Sequence, residues 1–224
     1  MRNQIFKGFA VIFSLIMIAF FVSSCFAGAP DPTSAVLAMA PPFSFHDMNW
    51  DDEPENMGGF QIGCYLALTR DIETYPALTA NPVTDDEAVT MLGNYAMKTD
   101  KFFVYVYTTP DTLSLKPENQ GEVDGKSFKL KGELFYPGTK TECMAFARKI
   151  NNARGVLIAI DNDGERVIIG DKGHPVYFTP SLDWGKKAAD RRGMTIAFES
   201  DSFCPGYKYN GTIPLDGSVV EAIS

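Results

Sequence analysis

KSFKLKGELFY, residues 126 to 136, sets Phe128, Leu130, Leu134 and Tyr136 on one side of an extended chain and Lys129, Lys131 and Glu133 on the other. A period of two marks a strand with one face on a core and one in water, the usual state of an antiparallel sheet. FQIGCYLAL, residues 60 to 68, has the same period, with Phe60, Ile62, Cys64, Leu66 and Leu68 aligned. KFFVYVY, residues 101 to 107, is aromatic and β-branched on both faces, which predicts a central strand covered on two sides. Shorter strands are expected at 88–92, 155–160, 166–169, 176–179, 194–199 and 207–213, with Asp163-Gly164 turning a hairpin between the second and third of these. Proline and glycine punctuation makes 71–86 and 110–125 loops, and a polar loop is expected at 180–192.

One helix is expected, from Lys140 to about Asn152. Cys143, Phe146, Ala147 and Ile150 fall on one face, and Thr139 with Glu142 has the spacing of a capping box. Many short strands, long loops and one helix predict a mainly β (α+β) fold, an antiparallel β-sandwich or barrel with one packed α-helix.

Residues 1–38 stand apart from this pattern. Arg2 and Lys7 precede an apolar run from Phe9 to Val22 and then small residues, the three parts of an export signal. Fourteen helical residues rise only about 21 Å, short of a hydrocarbon core of about 30 Å. Val22-Ser23-Ser24-Cys25 resembles a bacterial lipobox, which would make Cys25 a lipidation site and the stretch up to Pro42 a tether. Cleavage after Ala27 is a second alternative, and a start codon further downstream, at Met39, Met48 or Met57, is a third. Residues 39–224 are then expected to form a single β-rich domain.

Without Arg2, Lys7 and Asp31, the chain's 20 basic and 28 acidic residues leave the part from Met39 onward with a net charge of −9. Such a surface repels a phosphate backbone, so specific nucleic-acid binding is not expected. Of the four cysteines, Cys64, Cys143 and Cys204 follow Cys25 without paired spacing, which is no disulfide framework. Cys64 in a strand pattern and Cys143 on an apolar helix face are expected as buried small hydrophobes.

Catalytic material is thin. His46 and His174 are the only histidines, and neither lies in a nucleophile or zinc motif. The glycines at 121, 125, 170 and 173 lack the ending of a phosphate loop, and DNDGE at 161 to 165 fits a hairpin turn better than a calcium loop. No enzyme, cofactor or metal site is expected. Charge, however, is unevenly distributed: Glu118, Glu122 and Asp124 make one loop acidic, whereas Lys186, Lys187, Arg191 and Arg192 make another basic. Two patches of opposite sign on one subunit can pair head to tail.

The order of several short motifs adds a resemblance. Glu55-Asn56-Met57-Gly58-Gly59, Gly121-Glu122-Val123-Asp124-Gly125-Lys126-Ser127, Tyr136-Pro137-Gly138-Thr139-Lys140, Ala189-Asp190-Arg191-Arg192-Gly193 with Phe198-Glu199, and Cys204-Pro205-Gly206-Tyr207-Lys208-Tyr209-Asn210-Gly211 follow one another within a resemblance that covers residues 48 to 213. In that order the chain resembles virion structural proteins of phages and prophages, similar to tail-tube subunits. The resemblance implies a β-sandwich or barrel with a flanking helix, stacking as rings with other virion proteins, and it brings no catalytic residues. It also implies assembly in the host cytoplasm, which goes with a downstream start. A lipoprotein tethered through Cys25, with a β-rich binding domain at the membrane, is the alternative expectation.

Overall fold

The computed structural model describes residues 47–50 and 57–216, all within one unit beginning at Asp47. Cys25 and the segment 1–38 lie outside the described residues. The chain is mainly β: the described residues form twelve strands, a 3-10 turn at Thr69–Asp71 and two short α-helices. The strands are β1 (Phe60–Leu68), β2 (Ile72–Thr74), β3 (Thr90–Met91), β4 (Ala96–Met97), β5 (Val104–Val106) and β6 (Ser114–Gln120). After them come β7 (Ser127–Pro137), β8 (Arg154–Asp161), β9 (Arg166–Ile169), β10 (Val176–Asp183), β11 (Gly193–Ser202) and β12 (Tyr207–Tyr209). Helix α1 is Asp85–Val89 and α2 is Thr141–Ile150.

Ten strands form one mixed sheet that branches at β8, while β2 and β4 make a separate pair. One edge of β8 carries β1, from Leu68↔Gly155 to Phe60↔Asp161. The other carries β9 along Leu157–Ile160 and β10 at Arg154 and Gly155. From β10 the ladder runs through β11 and β7 to β6, and from β9 through β12 to β3, where the β12–β3 pairing is parallel. β5 pairs with β1, and the Thr109 N–H donates to Phe135 O at 2.9 Å. The strands β5, β1, β8, β10, β11, β7 and β6 therefore come round in a ring, tied across the β5–β6 connection by that bond.

Branching gives the core two parts. Cys64 and Leu66 of β1, Leu157 and Ala159 of β8, Leu130 and Leu134 of β7, and Met194, Ile196 and Phe198 of β11 pack inside the ring. Cys143, Ala147 and Ile150 of α2 join them, the apolar face expected from the sequence. The alternate residues, Tyr65 and Ala67 of β1 and Val156, Ile158 and Ile160 of β8, pack with Tyr95, Phe103, Tyr207 and Tyr209 on the other side. Tyr95 stands edge-on to Tyr75, Phe103 and Tyr209, ring centroids 5.2 to 5.8 Å apart, a favourable quadrupole arrangement.

Four expectations are corrected. The strands covered on both faces are β8, whose residues Gly155 to Ile160 are all buried, and β1 from Gly63 to Ala67, where one face in water is expected from the sequence. KFFVYVY instead supplies β5, a three-residue strand laddered only to β1, with Val104 half exposed. Bulky residues on both faces do not distinguish a central strand from an edge with an apolar surface. Secondly, 110–125 is no loop throughout: Ser114–Gln120 pairs with β7 as an edge strand, where Pro117 is tolerated because its missing N–H faces no partner. Thirdly, β10 and β11 shorten the polar loop of 180–192 to 184–192. Lastly, Thr139 does not cap α2; Lys140 is its N-cap residue and no side chain bonds there. The capping box is at Thr84 and Glu87 of α1, which runs from the end of the expected 71–86 loop into the expected 88–92 strand and shortens that strand to Thr90–Met91: Thr84 accepts the Glu87 N–H and the Glu87 carboxylate accepts the Val83 N–H.

Candidate assembly surfaces

The charged residues fall on two hairpins that share the β6–β7–β11 ladder. Pairing of Gln120 with Ser127 leaves residues 121–126 as the β6–β7 turn. Pairing of Asp183 with Gly193 leaves 184–192 as the β10–β11 loop, and Gly193 also pairs with Pro137. The turn thus hangs from the first residue of β7 and the loop stands at its last. Eleven residues of strand separate them, or roughly 33 Å at 3.3 to 3.4 Å per residue.

Not every sequence candidate belongs to these ends. Glu118 lies within β6 and accepts a 2.6 Å bond from Lys131 Nζ. That ion-paired hydrogen bond holds the Glu118 carboxyl below its usual range and raises Lys131. Beside it Lys129 meets Glu199 at 3.1 Å and Gln120 Nε2 donates to Asp201 at 2.8 Å. Glu118 is a member of this exposed polar ladder, not of the acidic turn. Arg191 is similarly engaged: its guanidinium carbon stands 3.4 Å from the centroid of the Phe135 ring, and that ring fills the space over Gly193. The Arg192 carbonyl accepts the Gly138 N–H.

What remains is Glu122 and Asp124 on the turn and Lys186 and Lys187 on the loop, all exposed. Asp124 takes a left-handed φ of +67°, which aspartate tolerates better than most residues. Asp190 organises the basic loop, its Oδ2 accepting the N–H groups of Lys186 and Lys187 at 2.8 Å each. Both tips carry an exposed apolar residue that charge reading alone passes over: Val123, 80% exposed, and Trp184, 59% exposed.

Concavities also mark the surface of the described residues. An apolar crevice of about 160 Å³ opens where β5 and β7 diverge, lined by Val104, Val106, Tyr136, Phe146 and Met194, with Cys143 and Glu142 from α2. A broader groove of about 600 Å³ lies between Tyr75-Pro76 and the Asp171–His174 turn. There Asp171 Oδ1 accepts the N–H groups of Gly173 and His174 at 2.6 Å, and the His174 ring stands edge-on to Phe203 at 5.2 Å. His174 Nδ1 is 3.5 Å from Asp171 Oδ1 and makes no hydrogen bond. Ser200 Oγ donates to the His174 carbonyl at 2.9 Å.

The three cysteines among the described residues are free thiols: Cys64 and Cys143 are buried and Cys204 is half-buried. Burial pushes Cys64 up to about 12 and raises the other two in the same direction. A raised thiol stays protonated and unreactive below its own pKa. At pH 8 iodoacetamide is therefore expected to leave Cys64 and Cys143 unmodified over a period that labels both fully in guanidinium, as read by peptide mass. Rapid native labelling of Cys64 would contradict the packing of β1. Comparison with family models, with curated proteins and with solved structures finds no match to this chain.

Proposed function

We propose that this chain is a non-enzymatic structural subunit of a phage-type virion, tail-tube-like, which associates head to tail with its own copies. The observation that carries the reading is the placement of Glu122 with Asp124 and Lys186 with Lys187 at opposite ends of one continuous ladder. Patches about 33 Å apart on a rigid sheet have no means of pairing within one chain. Between chains the contact is heterologous, and such contacts close into rings or propagate as stacks. The order of sequence motifs shared with virion structural proteins supports the same assignment. So does the acidic balance, which lets nucleic acid pass without adhering.

On this reading the protein works in the virion and, during assembly, in the host cytoplasm. Sedimentation of protein starting at Met48 is expected to show species larger than a monomer at high concentration, weakening as salt screens the charges. Lys186→Glu with Lys187→Glu is expected to shift the distribution to monomer, and adding Glu122→Lys with Asp124→Lys to restore it. These variants are a cleaner test than Arg191→Glu, which would also remove the stack on Phe135. A wild-type protein that remains monomeric throughout would overturn the proposal.

A further inference from the structure

We infer that the apolar crevice between β5 and β7 is the receptor for the β6–β7 turn of a second copy, with Val123 as the inserted side chain. The inference rests on the head-to-tail reading and names the contact that makes it. The crevice lies at the basic end of the ladder. Tyr136 and Met194, two of its walls, are cross-strand partners, and Met194 immediately follows the Gly193 from which the basic loop hangs. A turn that approaches Lys186 and Lys187 of another copy therefore arrives at the mouth of this crevice.

The two surfaces match in chemistry as well as in place. The loop 184–192 holds four cations against Asp190, while the turn 121–126 holds two carboxylates against Lys126. Val123 lies between those carboxylates in sequence and is 80% exposed, so it is free to enter an apolar site on a second copy. The crevice offers aliphatic and aromatic walls, and its 160 Å³ is several times the roughly 30 Å³ share of a water molecule. Replacing water there by a branched aliphatic group is favourable because both surfaces leave water. Glu142 stands on the helix side of the crevice, so the incoming carboxylates are best accommodated on the opposite side, over the lysines. Val104, on the wall of the crevice, is half exposed.

The test uses two variants, one for each half of the contact. Val123→Asp spoils the inserted tip and leaves the crevice; Val104→Glu spoils the crevice and leaves the tip. By sedimentation velocity each alone is expected to be monomeric under conditions where wild type assembles. An equimolar mixture is expected to form dimers and nothing larger, because one good tip and one good crevice remain per pair. Wild-type assembly with either variant assembling equally well, or with the mixture remaining monomeric, overturns the crevice and leaves the head-to-tail reading standing. A monomeric wild type removes both. Circular dichroism and a melting curve check the fold of each variant. Should Val104→Glu melt early, Val123→Ala and Val123→Leu decide from the exposed turn alone. The first is expected to raise the dissociation constant about tenfold, for two lost methylene equivalents, and the second to stay within about threefold of wild type. Equal constants for Val123→Ala and wild type would sink the inference.

Discussion

Leu157→Ala and Ile158→Ala are each expected to lower stability by about 2–5 kcal/mol, although the two residues point to opposite faces of the sheet. Both side chains are fully buried. Leu157 packs inside the ring with Cys64, Leu134 and Phe178, and Ile158 packs outside it with Tyr65, Phe103 and Tyr209. A strand with one face in water would lose heavily at one of the two positions and hardly at the other. Here each truncation removes a side chain from a separate packed cluster and leaves a cavity, which the surrounding strands fill only in part. Denaturant unfolding supplies the measurement, and melting is expected to fall by on the order of 10 °C for each. A loss below about 0.5 kcal/mol at either site would mean that β8 does not separate two cores.

The second large effect is expected at Gly132. A Cβ built there would sit 2.2 Å from the Ser114 carbonyl oxygen and 2.3 Å from Cζ of Phe198. Gly132 pairs with Leu115 on one edge and with Phe198 on the other, and the Phe198 ring lies over the glycine as part of the ring's interior. Gly132→Val must therefore displace a buried aromatic ring or part β6 from β7. Overpacking of this kind costs about 1–3 kcal/mol and more where the backbone has to move, so the variant is expected to be poorly soluble or to unfold well below wild type. Gly125→Ala is the control, since the nearest atom to its added Cβ is the Glu122 oxygen at 4.0 Å. Equal melting temperatures for Gly132→Val and Gly125→Ala would show that the β6–β7–β11 ladder is looser than described.

The candidate surfaces were only partly legible in advance. The opposite signs of the 121–126 and 184–192 segments are plain in the sequence, but Glu118 and Arg191 were grouped with them by proximity along the chain. Pairing assigns Glu118 to Lys131, thirteen residues away, and Arg191 to Phe135, fifty-six residues away. The capping box of α1 was present as Thr84-Asp85-Asp86-Glu87 and had the right spacing. It was obscured because Pro76 and Pro82 suggested a loop and because a five-residue helix leaves almost no apolar period to detect.

By itself the sequence determined the features whose cause is local. The alternation of β7, the apolar run of β8, the Asp163-Gly164 turn and the apolar face of α2 all follow from patterns that act over a few residues, whereas β1, whose sequence alternates in the same way, is buried on both faces from Gly63 to Ala67. Tertiary structure alone decided which strands meet. It made β8 the branch point, left β5 an edge, closed the ring through Thr109 and Phe135, and set Tyr136 and Met194 beside Val104 to form the crevice. Those choices turn on hydrogen-bond register and core volume between segments tens of residues apart, and a local period specifies which face of a strand is buried without specifying its neighbour.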